Sequence, residues 1–160
     1  MSKSAKQSAV KPIPEGYHAL TPYLIVNDAN AAIAFYRKAF GASELFRFDA
    51  PGGKIGHAEM RFGDSVIMLA DECPEMKARS PQHYGGSPVT LMFYVEDVDA
   101  VVAGALAAGA MLLRPVANQF YGDRSGAIAD PFGHQWNIAT HIEDVPPDEL
   151  HKRAAAAHPS

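Results

Sequence analysis

The chain carries one pattern twice, and that repeat limits the folds open to it. Around Pro22 it reads Tyr23-Leu24-Ile25-Val26-Asn27-Asp28, then an apolar-periodic stretch, then Gly41-Ala42. After Pro88 it reads Met92-Phe93-Tyr94-Val95-Glu96-Asp97, a second periodic stretch, then Gly109-Ala110. Each copy goes on to a turn glycine and a short strand, Gly63-Asp64-Ser65-Val66-Ile67-Met68 and Gly133-His134-Gln135-Trp136-Asn137-Ile138. A period of roughly 70 residues is too long for a solenoid unit and suits half a domain. Duplicated halves place equivalent positions around a shared cavity, so the repeat also says where function belongs.

Local signals give each half the order β-α-β-β-β. Leu20 to Val26 reads as a strand, and Asp28 as the N-cap of a helix from Ala29 to Phe40 that Gly41 ends. Glu44 to Phe48 is the next strand, closed by Pro51-Gly52-Gly53. Ile55 to Phe62 alternates, with Ala58, Met60 and Phe62 on one face and His57, Glu59 and Arg61 on the other. Gly63-Asp64 makes a two-residue hairpin turn into Ser65 to Ala70.

The second half repeats the order: Thr90 to Val95, an Asp97 N-cap, a helix from Val98 to Ala108, then strands Ala110 to Arg114, Ser125 to Ala129 and His134 to Thr140. The expected organisation is an α+β domain over residues 18–142. It holds module 1 at 20–70, a long loop at 71–88 and module 2 at 89–141. A flexible tail at 1–17 and a helical tail at 143–160, with a helix from Asp148 to Ala157, flank the domain.

Charge and composition exclude several classes. A net charge of -4 argues against a nucleic-acid or anionic-membrane surface. No apolar run nears the roughly 20 residues a bilayer span requires. The Lys/Ser/Ala/Gln-rich start lacks an apolar core, so no secretory signal is expected. The one cysteine, Cys73, precludes an internal disulfide framework and fits a reducing cytoplasm. Cys73 reads as an inert thiol beside Pro74, or alternatively as a nucleophile.

Two tandem βαβββ modules resemble the vicinal oxygen chelate superfamily, which includes glyoxalase I, extradiol dioxygenases and the fosfomycin- and bleomycin-resistance proteins. The words that carry the resemblance are Pro22 to Asp28, Phe35-Tyr36-Arg37-Lys38-Ala39-Phe40-Gly41-Ala42 and Asp130-Pro131-Phe132-Gly133-His134. Gly122-Asp123-Arg124 followed by Ala129 to Trp136 resembles the PhnB-like branch. The resemblance implies that each module forms a half-barrel of curved mixed sheet, that modules pair around a cleft, and that the chain is a homodimer. It also implies metal-ligand slots on the first and last strand of each module. Those slots fall at Thr21, Met68, Thr90 and Asn137, a set without imidazole or negative charge. No metal and no cofactor are therefore expected.

A two-residue turn at Gly63-Asp64 pairs Phe62 with Ser65 and sets Glu59 opposite Met68. Glu59 and His57 then form either a displaced ligand or acid/base pair, or a polar wall together with Arg61. Strand parity puts Tyr23, Met92 and Tyr94 on the cleft face, and the Tyr121 segment beside it. It gives Arg124 the parity of Gly126 and Asn137, where it would clamp an acidic ligand or brace the sheet. Trp136, of opposite parity, reads as helix-facing core; His134 and His141 read as turn and edge residues. Two functions follow. One is a metal-independent binder of an aromatic or amphipathic small molecule in the inter-module cleft. The other is a lyase, isomerase or dioxygenase built on His57 and Glu59.

Overall fold

A computed structural model describes residues 9–159, so residues 1–8 of the expected flexible tail lie outside the described residues. The first module comprises β1 (Tyr23–Val26), α1 (Ala29–Phe40), β2 (Ser43–Ala50), β3 (Lys54–Phe62) and β4 (Ser65–Asp71). A connection carrying the one-turn helix α2 (Pro81–Tyr84) leads to β5 (Thr90–Tyr94), α3 (Val98–Ala107), β6 (Met111–Asn118), β7 (Asp123–Ala129) and β8 (Gln135–His141). A final helix, α4 (Pro147–Ala157), follows. None of the described helices is long and apolar enough to cross a membrane.

Caps and periodicity place the helices where the sequence puts them. The Asp28 carboxylate accepts from Ala31 N at 3.0 Å, and Asp97 accepts from Ala100 N at 3.1 Å. Gly41 takes the left-handed conformation, φ 65°, and its N–H closes on Arg37 O. The helix α1 turns Ala29, Ala32, Ile33, Tyr36 and Phe40 inward.

The strands form two four-stranded mixed sheets, in the orders β1-β4-β3-β2 and β5-β8-β7-β6. In each, the strand before the helix pairs parallel with the last strand, and the other pairs are antiparallel. The Phe62↔Ser65 and Glu59↔Met68 pairings are those expected from the Gly63-Asp64 turn. Three strands outrun their sequence signal by two residues or more: β2 and β6, both interrupted by register shifts, and β7, which starts at Asp123 rather than Ser125.

The two modules stand back to back. The helix-side residues of both sheets merge into one core, in which Phe62 of β3 stacks on Trp136 of β8 with centroids 5.5 Å apart. Phe40, Phe93 and Tyr36 close around that pair. Each large apolar side chain buried this way contributes on the order of 1.5–3 kcal/mol. Because the helix sides of both sheets meet, their opposite faces both lie on the outside of the chain. The cleft expected between modules is therefore not closed within one chain.

Beyond β8 the chain turns back under α4. Arg153 holds this segment, donating to Glu143 at 2.8 and 2.9 Å, to Glu149 at 3.1 Å and to Phe120 O at 3.1 Å. A Cβ on Gly122, φ 97°, would sit 2.2 Å from Glu143 O, so only glycine fits this crossing.

Candidate functional site

The outer face of the first sheet gathers most of the chemistry. Alternation on β3 points His57, Glu59 and Arg61 outward, while Ala58, Met60 and Phe62 are buried. Tyr23 lies beside Met68, which faces Glu59 across the β3–β4 pair. On the other flank Phe46 pairs with Glu59, and Phe48 pairs with His57.

These side chains form a continuous hydrogen-bonded line. The Tyr23 hydroxyl is 2.8 Å from His57 Nδ1, and His57 Nε2 is 3.3 Å from Glu59 Oε1. The Tyr17 hydroxyl donates to the other Glu59 oxygen. A neutral imidazole with its hydrogen on Nε2 satisfies all four groups: it donates to Glu59 and accepts the Tyr23 phenolic hydrogen. His57 is further fixed by Phe48, stacked at 5.4 Å, and by the tilted Tyr23 ring at 5.5 Å. His57 and Glu59 side chains are each only 16% exposed, whereas Tyr23 is 48% exposed. The line therefore runs from a shielded carboxylate to a half-exposed tyrosine.

Electrostatics keep the two phenols protonated. Burial, and then the Glu59 charge, push the Tyr23 hydroxyl above its ordinary range. The hydrogen bond to Glu59, and then burial, do the same for Tyr17. Both therefore act at neutral pH as hydrogen-bond donors rather than as phenolates.

The second sheet offers a different outer face. Met92, Asn137 and Ala127 are cross-strand neighbours there, as Tyr23, Met68 and Glu59 are in the first. On that correspondence Ala127 stands for Glu59, Ser125 for His57 and Ala129 for Arg61. The polar line belongs to one module alone; its counterpart positions are small, and the Arg114 guanidinium beside them donates to Ser125 Oγ at 3.3 Å. Tyr94 instead donates to Asp123 at 2.8 Å, and His141 Nδ1 lies 2.8 Å from the same carboxylate. The two bonds spring from one buried anion. That anion, and then Asp144, raise the His141 pKa.

Sequence reasoning placed Tyr23, His57, Glu59, Arg61 and Met68 on one face, and the structure brings them together. Met92, Tyr94 and Asn137 share the outer face of the other sheet, and Tyr121 sits in the turn before β7. Arg124 requires correction. It pairs with Thr140 and Gly126 with Ile138, so both carry the helix-side parity. Arg124 grips Asp99 of α3 at 2.7 and 2.8 Å and Asn118 at 3.0 Å, and does not share a face with Asn137. Three site residues escaped the sequence reading. Phe46 and Phe48 carry a period-2 signal that could have placed them beside His57. Tyr17 lies in an aperiodic segment and carries none.

The donor set does not suit a metal ion. Among the described residues no group of three or more His, Cys, Asp or Glu side chains could hold one. Both His57 nitrogens are already engaged, and the slots implied by the resemblance hold hydroxyl, thioether and carboxamide groups.

The chain is similar in sequence and fold to known proteins. The sequence profile of the Glyoxalase/Bleomycin resistance protein/Dioxygenase superfamily matches residues 17–138. An uncharacterized protein of Mycobacterium bovis is 45% identical over 135 residues, covering 82% of this chain and 89% of the relative. The crystal structure of TioX from Micromonospora has a TM-score of 0.60 at 25% identity, covering 77% of this chain and 98% of that one. A PhnB protein from Bacillus cereus superposes with a TM-score of 0.60 at 18% identity, covering 77% and 99%.

Proposed function

The chain belongs to the glyoxalase/bleomycin resistance protein/dioxygenase superfamily, and from that premise we propose that it binds an aromatic or amphipathic small molecule without a metal ion. The site is the outer face of the first module. The second module of another copy completes it, so that a homodimer carries two equivalent clefts.

One observation carries this reading. Tyr23, Phe46 and Phe48 are 48%, 52% and 53% exposed around the shielded His57–Glu59 pair. Aromatic walls with a few convergent polar groups are the usual composition of a small-molecule site. Met92 and Tyr94 are likewise exposed on the facing half, at 46% and 57%. Two apolar half-sites on opposite sides of one chain support pairing with a copy. Ala127 and Ala129 are small on that half, where the Arg114 guanidinium lies over Ser125 and offers a cation.

Calorimetric titration of the full chain against a panel of aromatic, cationic and hydrophobic metabolites tests the proposal. Binding at one site per chain, lost in Phe48→Ala, is expected. Silence across the panel, or binding indifferent to Phe48→Ala, counts against it.

A second reading rests on the Tyr17–Glu59–His57–Tyr23 line. A carboxylate, an imidazole and the hydroxyl of a half-exposed tyrosine in sequence are the parts of a metal-free acid/base site. Turnover by metal-free protein, lost in Glu59→Gln and in Tyr23→Phe, supports an enzyme over a binder.

A further inference from the structure

We propose that the free edge of β1 carries a second small-molecule site, which takes a neutral planar heterocycle with a hydrogen-bond donor and acceptor side by side. It is independent of the reading above, because it uses backbone groups of β1 and not the side chains of the polar line. β1 ends its sheet and pairs only with β4. Successive residues of a strand turn their N–H and C=O groups to opposite edges. The Pro22 carbonyl accepts from Met68 N at 3.0 Å, so residues 22, 24 and 26 face β4. Tyr23 and Ile25 therefore face the free edge, in keeping with the 2.9 Å bond between His134 Nε2 and the Ile25 carbonyl.

That histidine closes one end of the edge. A carbonyl only accepts, so Nε2 carries the hydrogen and donates it to the Ile25 oxygen. The Tyr23 N–H, the Tyr23 carbonyl and the Ile25 N–H have no hydrogen-bond partner among the described residues. Three groups are too few to hold an added strand. The Tyr23 carbonyl and the Ile25 N–H, two residues apart on one edge, instead match a single planar donor–acceptor pair. Backbone groups of this kind are among those that fix orientation in small-molecule pockets.

A cavity of about 400 Å³ lies along this edge, a volume at the small end of the range for ligand pockets. Val89 and Leu91 line it on one side, and Pro81 and Tyr84 of α2 on another. The α2 wall is fixed in place. Ser80, just before it, donates its N–H and Oγ–H to Glu72, both at 2.8 Å. Gly133 packs so closely that a Cβ there would sit 2.9 Å from the Pro81 Cβ. Tyr84 is 67% exposed and presents an accessible ring to a flat ligand. No carboxylate lines the cavity, and its one guanidinium, Arg79, lies within Coulombic reach of the Glu72 and Glu75 carboxylates. That leaves no free cation for an acidic ligand and no carboxylate on the lining for a basic one. A charged ligand would lose its hydration uncompensated, so the site selects a neutral one.

The probe is 7-azaindole, which is neutral and flat and sets one N–H beside one ring-nitrogen acceptor. It is titrated into isotope-labelled full-length protein and followed by amide NMR, in parallel with 1-methyl-7-azaindole, which lacks the donor. Saturable binding is expected, with the largest amide shift at Ile25. The methylated probe is expected to bind at least about fivefold more weakly, the scale of one hydrogen bond. Tyr84→Ala, at an exposed position where the fold should survive, is expected to weaken the parent probe about threefold. An Ile25 amide that does not move at saturation, equal affinity for the two probes, indifference to Tyr84→Ala, or no binding at all overturns the edge site. Binding lost in Phe48→Ala, with shifts around His57 and none at Ile25, overturns it too, while supporting the outer-face reading.

Discussion

Tyr36 of the first module donates its phenolic hydrogen to Asp130 of the second at 2.5 Å, with both groups buried. Asp130 also accepts from Trp136 Nε1 at 2.9 Å, Phe132 N at 3.0 Å and His134 N at 2.9 Å. The carboxylate therefore organises its own turn and ties the two modules together. Burial, and then Asp130, hold the Tyr36 hydroxyl well above its ordinary pKa, so it remains a donor. Tyr36→Phe removes one bond to a buried anion and is expected to cost about 1.5–3 kcal/mol. Urea unfolding followed by Trp136 fluorescence measures this, because the sole tryptophan sits in the inter-module core. A loss below about 0.5 kcal/mol would show that the bond is not needed to join the modules.

The turns and caps were legible in the sequence because single residues determine them. Asp28, Asp97, Gly41 and the Gly63-Asp64 hairpin sit where their chemistry puts them, and the hairpin fixed Glu59 opposite Met68 in advance. Arg124 was misplaced because its face depends on the length of a looser turn. Asp130 to His134 is a five-residue connection, and counting across it shifts parity by one. The packing of one module against the other had no local signal. Trp136 reads as helix-facing core, but nothing in its neighbourhood says that its stacking partner is Phe62. Tyr17 was unreadable for a related reason, since its contact with Glu59 spans 42 residues from an aperiodic segment.

The corrected place of Arg124 gives a sharp control. It braces β7 against α3 through Asp99, on the opposite side of the sheet from Asn137. Arg124→Gln is expected to leave the affinity for any ligand of the outer face unchanged, within a factor of about two. Titration of wild type and variant in parallel decides it. A tenfold loss would return Arg124 to the site.

Along the polar line, effects should grade with distance from the accessible end. Tyr23→Phe removes the hydroxyl that the proposed ligand would meet at the end of the line and is expected to weaken binding about tenfold. Tyr17→Phe leaves Glu59 with its His57 partner and should cost less, roughly threefold. Calorimetry on both variants checks the order. A larger effect from Tyr17 than from Tyr23 would mean that the N-terminal segment, and not β1, presents the ligand-binding group.

Stability should depend on pH through His141. Its pKa is raised in the folded chain by the hydrogen bond to Asp123, then by Asp144, so the native state favours the imidazolium. The associated stabilisation is fully present below the unfolded value of about 6.5 and is lost as pH rises through the higher folded value. Melting temperatures should therefore fall on going from weakly acidic to weakly alkaline buffer. His141→Gln should flatten that fall, since Tyr94 continues to donate to Asp123 at either pH. An unchanged slope in the variant would assign the dependence to another group.

The exposed aromatic face predicts how the chain associates. Phe46 and Phe48 project from β2 beside His57, and about half of each ring is accessible in the isolated chain. Two such rings, with Tyr23 nearby, form an apolar patch that a soluble protein normally covers. Pairing with a second copy through its Met92 and Tyr94 face would cover it twice over, once per cleft, in an arrangement closed by two-fold symmetry. Phe46→Glu places a charge in that contact while touching nothing in the inter-module core, so the fold should survive. Sedimentation velocity is expected to show a dimer for wild type and a shift towards monomer for Phe46→Glu, with the circular dichroism spectrum unchanged. If each cleft is built from both copies as proposed, ligand affinity should fall in step with the dimer fraction. A wild-type monomer that binds ligand at full stoichiometry would instead make the first module a complete site by itself.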